Sequence, residues 1–281
     1  MESQRYIFKY YYVGIKHFFG SQRQKTIPTI EDYLIKALGK KNYITNFKNS
    51  SFKVASRTDR FVSARGATFS FLTNKTPILM EINNALPKEI GIWAFCKAPM
   101  NFSSRFNAIC RHYKYIVPQS LKYLQKKYEI NLDIMKKACK ELEGIHDFTN
   151  FCKKENNEKK MEKRVDLVEM RVQKNTLIFD FKSKSFLRQQ IRRMVKKVLE
   201  LGQGEINYDD FLNLLNPKKY YSYQPADPSG LVLWDIIYDN SIKFQVDLKS
   251  KERMENYFLY QKQKYQQKFE LFNILQHGDF S

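Results

Sequence analysis

Strand-like and helix-like apolar periods alternate through both halves of the chain, and this alternation most restricts the fold. Residues 6–13 are aromatic and β-branched and read as a strand. Residues 29–38 follow Pro28 and carry Ile30, Leu34, Ile35 and Leu38 at helical spacing. Residues 52–55 and 67–72 read as strands around a polar turn, 56–66. Residues 78–86 read as a helix and 90–95 as a strand. Residues 111–117 alternate, with Tyr113, Tyr115 and Val117 on one face. Residues 132–142 are helical, and 165–172 with 176–181 form a strand pair turned at Lys174-Asn175. Residues 186–201 read as a strongly amphipathic helix with a stripe of Leu187, Ile191, Met194, Val195 and Val198. A shorter helix over 208–215 and a last strand over 231–238 follow. Strands mixed with crossing helices in both halves predict an α+β fold with antiparallel sheets. Two stretches stand outside the pattern. Residues 153–164 read as a mobile charged loop, able either to grip RNA or to lie solvated, and 251–275, rich in Gln, Lys and Tyr, as an added C-terminal helix.

The charge balance narrows the function. Lys and Arg number 49 against 29 Asp and Glu, a formal net charge of +20. Such an excess points to a polyanion, nucleic acid or an acidic membrane face, unless it reflects biased composition alone. No apolar run reaches the length needed to cross a bilayer, and the N-terminus lacks a signal-peptide pattern. The four cysteines, at 96, 110, 139 and 152, have neither zinc-knuckle nor redox-pair spacing and read as reduced, mostly buried thiols. The expectation is a soluble intracellular protein. The four histidines show no ligand spacing, so no metal or redox cofactor is expected.

Ser56-Arg57-Thr58-Asp59-Arg60 sits at the end of an expected strand, with one carboxylate among Arg57, Arg60 and Arg65. Cationic neighbours favour the charged form of a carboxylate, which in a turn can act as nucleophile or base. The plain alternative is an Asp that caps its own turn.

The order of further motifs bears on that choice. Tyr12-Val13-Gly14 followed by Gly20, Gln22 and Gln24 resembles the opening of the TruA-type tRNA pseudouridine synthases. Arg57-Thr58-Asp59 with Val62 and Ala64 resembles their central motif. Phe102, Arg105-Phe106 and Ala108, then Arg111-His112-Tyr113-Lys114-Tyr115, resemble their Arg-x-Tyr-x-Tyr block. Residues 144–151 are similar to their Gly-x-His-Asp-Phe-x-x-Phe signature, and 186–195 to their active-site helix. Gly230-Leu231-Val232-Leu233 resembles their closing strand. The resemblance runs in order from about residue 6 to 239. The chain departs from the family pattern at Val13 (usually Asp), Phe61 (usually Gly), Ser63 (usually His) and Lys196 (usually Gly).

The resemblance implies an α+β fold of two ferredoxin-like halves, joined into a long antiparallel sheet with helices packed on it and a central RNA-binding cleft. The expected division is an N-terminal half with the Asp loop, 1–105, a C-terminal half with the active-site helix, 106–240, and a helical extension, 241–281. It implies isomerisation of uridine to pseudouridine in tRNA, in the anticodon stem-loop at nucleotides 38–40 if the bacterial pattern holds, without cofactor. It implies that Asp59 is the essential carboxylate, that Tyr113 stacks on the target base, that Arg192 pairs with Asp59 and that Leu231 walls the uracil pocket. Arg57 would contact phosphate or fill the place of the flipped base, and Arg23, Arg65, Arg105 and Arg111 would line the RNA groove. His146-Asp147 is read as part of a turn that packs Phe148 and Phe151 rather than as a catalytic pair. Bacterial relatives are homodimers and some eukaryotic ones monomers. The expected location is the cytoplasm, or the nucleus or an organelle in a eukaryote. The rivals are an RNA-binding protein that kept the fold without the chemistry, and a nuclease using Asp59.

Overall fold

The first strand, β1 (Gln4–Tyr12), is buried along almost its whole length, which only an interior strand of a covered sheet can be. It lies between β3 (Ser63–Thr73) and β4 (Ile90–Ala98), antiparallel to both. Phe8 stacks on Phe69 and Phe71 at 4.9 and 5.1 Å between ring centres, so this part of the core is built from aromatic faces. The computed structural model describes residues 2–47, 49–153 and 161–277.

The remaining elements are α1 (Ile30–Lys40), β2 (Lys53–Val54), α2 (Leu79–Asn83), β5 (Cys110–Ser120), α3 (Leu121–Tyr128) and α4 (Leu132–Glu141). They continue with β6 (Gly144–Asp147), β7 (Glu162–Val165), β8 (Leu167–Gln173), β9 (Thr176–Ser183) and α5 (Gln190–Gly202). The chain ends with α6 (Tyr208–Asn213), β10 (Leu231–Ile237), β11 (Gln245–Val246) and α7 (Leu248–His277). The main sheet runs β11-β4-β1-β3-β10-β5-β9-β8, with β2 beside β3. The fold is α+β, as expected, and its large sheet is mostly antiparallel.

One pairing departs from that rule and positions everything that follows. β10 runs parallel to β3, Val232 opposite Ser63 and Leu233 opposite Ala64. Two parallel strands start at the same edge of a sheet. The loop before β3 holds Asp59, and β10 begins at Leu231, so residues far apart in sequence meet at that edge. β5 completes the seam on the other side of β10, with Tyr113 opposite Leu233.

The expected helix over 186–201 begins four residues late. Gln189 takes a left-handed backbone, φ +61°, and its neighbour Gln190 accepts from the Leu187 N–H through its side chain, so 186–189 form a loop. Of the expected stripe, Ile191, Met194, Val195 and Val198 are on the helix and buried, while Leu187 falls in that loop and is half-buried. Of the expected loop 153–164, residues 154–160 lie outside the described residues. Its end is ordered as β7, which pairs with β6 in a separate hairpin. α3 has no counterpart in the sequence reading. Its few apolar positions are too sparse for a convincing stripe, and only Leu124 is buried. α7 is the expected C-terminal helix. Its first turns dock through Met254, Tyr257 and Ser250, while Tyr265, Phe269 and Phe272 are exposed.

Candidate active site

The acid-bearing loop is built from contacts made before the chain reaches β3. The Thr58 N–H donates to Ser21 Oγ at 2.8 Å, and the Ser21 N–H returns a bond to the Thr58 carbonyl at 3.1 Å. The Thr58 hydroxyl lies 2.7 Å from that of Tyr12, whose own position is set by β1. Gly20 allows this approach: its φ is +87°, and a Cβ there would come within 3.0 Å of the Thr58 carbonyl. The loop thus hangs Asp59 from two strands and a turn rather than from its own propensity.

Phe61, one of the departures from the resembled pattern, holds a left-handed φ of +67°. Its ring lies under the Arg60 guanidinium at 4.7 Å, and Phe19 stacks on the same guanidinium at 4.0 Å.

Opposite Asp59 stands α5. Arg192 Nη1 donates to Asp59 Oδ2 at 2.9 Å, across 133 residues of sequence. Its Nε donates to the Ala226 carbonyl at 2.7 Å, and the Ala226 N–H donates back to the Arg192 carbonyl at 3.0 Å. The guanidinium is therefore aimed by its own helix and by the loop before β10. Its side chain is 10% exposed and that of Asp59 37%, so the pair is open on the acid's side. Asp59 Oδ1 accepts no hydrogen bond from the described residues.

The pair lines a cavity of about 1240 Å³. Tyr113, 7% exposed, forms part of its wall, with Phe186 edge-on at 5.5 Å. Burial raises the phenol's pKa, so the ring is neutral at pH 7. Leu231 closes another side. Gly230 before it must lack a Cβ, which would meet the Ile116 carbonyl at 2.5 Å. The lining holds nine Lys and Arg side chains against two carboxylates, Asp59 and Glu31, which makes it a site for polyanions. Burial raises the Glu31 pKa, so even this second acid charges less readily.

The structure brings Asp59, Arg192, Tyr113, Leu231, Arg57, Arg23, Arg105 and Arg111 to one cavity. It does not bring Arg65. Alternation along β3 turns Arg65 to the other side of the sheet, where its guanidinium lies 4.9 Å from the Trp234 ring and 5.8 Å from that of Trp93. The expectation that Arg65 lines the groove is corrected accordingly. Arg57 is exposed at the cavity wall without a hydrogen-bond partner among the described residues. Arg23 shares itself between Asp32, at 3.0 Å, and the Phe47 ring. Arg105 is exposed beside Phe106. Arg111 lines the cavity too, but its guanidinium is spent on protein acceptors. Phe186 and Ser56 are cavity residues that the sequence reading missed. Phe186 was assigned to a helix, and a serine beside Arg57 carried no signal of its own.

The motif at 144–151 is structural. His146 Nε2 contacts the Glu143 carbonyl at 2.7 Å, Asp147 accepts from the Thr149 N–H and hydroxyl, and Phe148 and Phe151 are fully buried. Among the described residues no two cysteines are joined in a disulfide. Among the described residues, no His, Cys, Asp and Glu cluster is placed to hold a metal, and no helix is long and apolar enough to cross a membrane.

A family model described as tRNA pseudouridine synthase matches residues 138–239. The chain is 34% identical over 271 residues to tRNA pseudouridine synthase A of Methanosphaera stadtmanae, covering 93% of this chain and 95% of that one. The chain belongs to the tRNA pseudouridine synthase family. The proteins of the same name from Thermococcus sibiricus and Pyrococcus furiosus are 35% and 33% identical, over 93% and 89% of this chain and 94% and 90% of theirs. Membership thus spans the acid loop, the late helix and the closing strand together, the three pieces that the parallel seam joins.

Proposed function

We propose that this protein isomerises uridine to pseudouridine in tRNA, with Asp59 as the essential carboxylate. One observation carries the reading: a half-exposed acid, braced by the Arg192 guanidinium at 2.9 Å, opens into a cation-rich cavity walled by Tyr113 and Leu231. The reaction breaks the bond between C1′ and N1, turns the uracil and joins C5 to C1′. The C5 proton leaves and N1 gains one, so nothing is oxidised or hydrolysed in net terms. Asp59 acts on the sugar, as nucleophile at C1′ or as base toward a sugar proton, with Oδ1 as the oxygen left open to substrate. Tyr113 stacks on the extruded base and Leu231 supplies the apolar side of its slot. Arg57 contacts a phosphate or occupies the space the base leaves. Arg23 and Arg105 neutralise phosphates at the rim.

The finer reading is that the two ferredoxin-like halves, 1–105 and 106–240, embrace the anticodon stem-loop in a cleft at the seam, with 241–281 as an extension. The target would be nucleotides 38–40. An enzyme that acts on a stacked or paired base must extrude it, which suits a cavity walled by Tyr113 and Phe186.

The test is tRNA carrying tritium at uridine C5, incubated with the protein without added metal. Tritium released from intact RNA is the expected result. Intact RNA that keeps its tritium would mark a binder, and shortened RNA a nuclease; either would overturn the reading. Mapping the modified nucleotide in the same sample decides the position.

A further inference from the structure

Arg111 is an arginine on the cavity wall with its charged group turned inward, and this contradicts the role its position suggests. The residue is 8% exposed. Its Nε donates to Ser56 Oγ at 2.9 Å. Its Nη2 donates to the Ala55 carbonyl at 3.0 Å and the Arg105 carbonyl at 2.9 Å, and its Nη1 to the Lys184 carbonyl. No carboxylate touches it among the described residues. A buried guanidinium compensated only by neutral oxygens is an expensive arrangement, stable only while each acceptor stays in place. Conversely, it holds those acceptors at fixed separations, because the guanidinium is a rigid planar fork.

The acceptors belong to three different segments of the site. Ala55 and Ser56 begin the loop that ends in Asp59. Arg105 lies on the rim before β5. Lys184 opens the loop between β9 and α5, two residues before Phe186, the ring that meets Tyr113 edge-on. Ser56 and Tyr113 line the same cavity, and Tyr113 stands two residues from Arg111 on β5. One side chain therefore connects the acid loop, the rim before β5 and the segment that leads to Phe186 and the Arg192 helix.

We propose that Arg111 is a positioning residue for the isomerisation rather than an RNA contact: through Ser56 and three carbonyls it sets the distance between Asp59 and the Tyr113 wall. This rests on the function proposed above. A chain whose wall is misplaced still binds RNA through its outer cations but brings the base wrongly to the acid. Misplacement of about 1 Å costs on the order of 100-fold in rate.

The experiment compares Arg111→Met, Arg111→Lys, Arg111→Ala and Ser56→Ala with the unaltered protein on tritiated tRNA, with thermal melts of each. Arg111→Met is expected to lower kcat about 30- to 100-fold with KM within about threefold. Arg111→Lys retains the charge but not the fork, and is expected to recover little. Guanidinium ion added to Arg111→Ala is expected to restore part of kcat. Ser56→Ala, which leaves the buried cation three acceptors, is expected to lose about five- to tenfold in kcat. The proposal is overturned if Arg111→Met raises KM at unchanged kcat and lowers the salt dependence of binding by about one phosphate, as a direct RNA contact would. It is also overturned if Ser56→Ala keeps full kcat, a result available even if Arg111→Met does not fold. Absence of tritium release by the unaltered protein would instead sink the function itself.

Discussion

Asp59 and Asp180 lie to opposite sides of one sheet, each among cations, and they end up as different chemical objects. Asp180 sits on β9 opposite Lys114 of β5. Its Oδ1 accepts from Lys114 Nζ and, at 2.6 Å, from His112 Nε2, and its Oδ2 accepts from Arg171. The side chain is 6% exposed, with both oxygens engaged. Asp59 has one guanidinium on one oxygen, and its side chain is 37% exposed. The first carboxylate is locked by its neighbours and can only hold strands together. The second is held at one oxygen, and its other accepts no hydrogen bond among the described residues, which suits the reacting acid proposed above. Neighbouring positive charge is common to both carboxylates; the open oxygen is not.

That contrast can be broken by substitution. Asp59→Asn is expected to reduce tritium release about 10⁴-fold while tRNA affinity, measured by filter binding, changes less than about threefold. Residual turnover near the original level would remove the acid from the chemistry. Asp180→Asn should do the reverse. It leaves a buried cation cluster without its counter-charge, at a cost of about 3–5 kcal/mol in urea unfolding, while kcat per folded molecule stays within about twofold. Loss of kcat in the folded variant would put the far side of the sheet into the catalytic unit. Arg192→Met is expected to lower kcat about 100-fold, since Asp59 loses its brace and Arg192 its bond to the Ala226 carbonyl.

The same comparison has a pH signature. Burial, then the nearby Lys114 charge, depresses the pKa of His112 to about 4, below its ordinary 6.5. Between those values the unfolded chain binds the proton and the folded chain does not. His112 therefore supports the fold fully above pH 6.5, and that contribution is lost as pH falls toward 4. Melting temperature should drop across this window, and His112→Asn should flatten the slope. A slope unchanged in that variant would assign it to another group. The smallest effect is at Phe61. Phe61→Gly relieves a left-handed backbone worth about 1 kcal/mol but removes a ring stacked on Arg60. The net change in stability is expected to be within about 1 kcal/mol.

Much of the site was legible residue by residue. Asp59, Tyr113, Arg192, Leu231 and Arg57 stand in motifs whose order along the chain is recognisable, and all line one cavity. What failed to show was direction. Arg65 and Arg111 are both arginines next to a motif, yet one faces the far side of the sheet and the other turns its charge into the protein. Phe186 was read as helix because Leu187 fits the stripe of the helix that follows. Nothing in glutamine's preferences marks Gln189 for a left-handed turn.

The alternation of periods determined by itself that this chain would build strands and helices in both halves, because burial of an apolar face is a local property of spacing. Its charge excess pointed to a polyanion without choosing which. Only the tertiary structure decided that β10 would lie parallel to β3, and so how the acid loop and the loop before β10 come to one end of the sheet. That pairing joins segments more than a hundred residues apart, and its stability comes from the whole sheet around it rather than from either segment's own sequence.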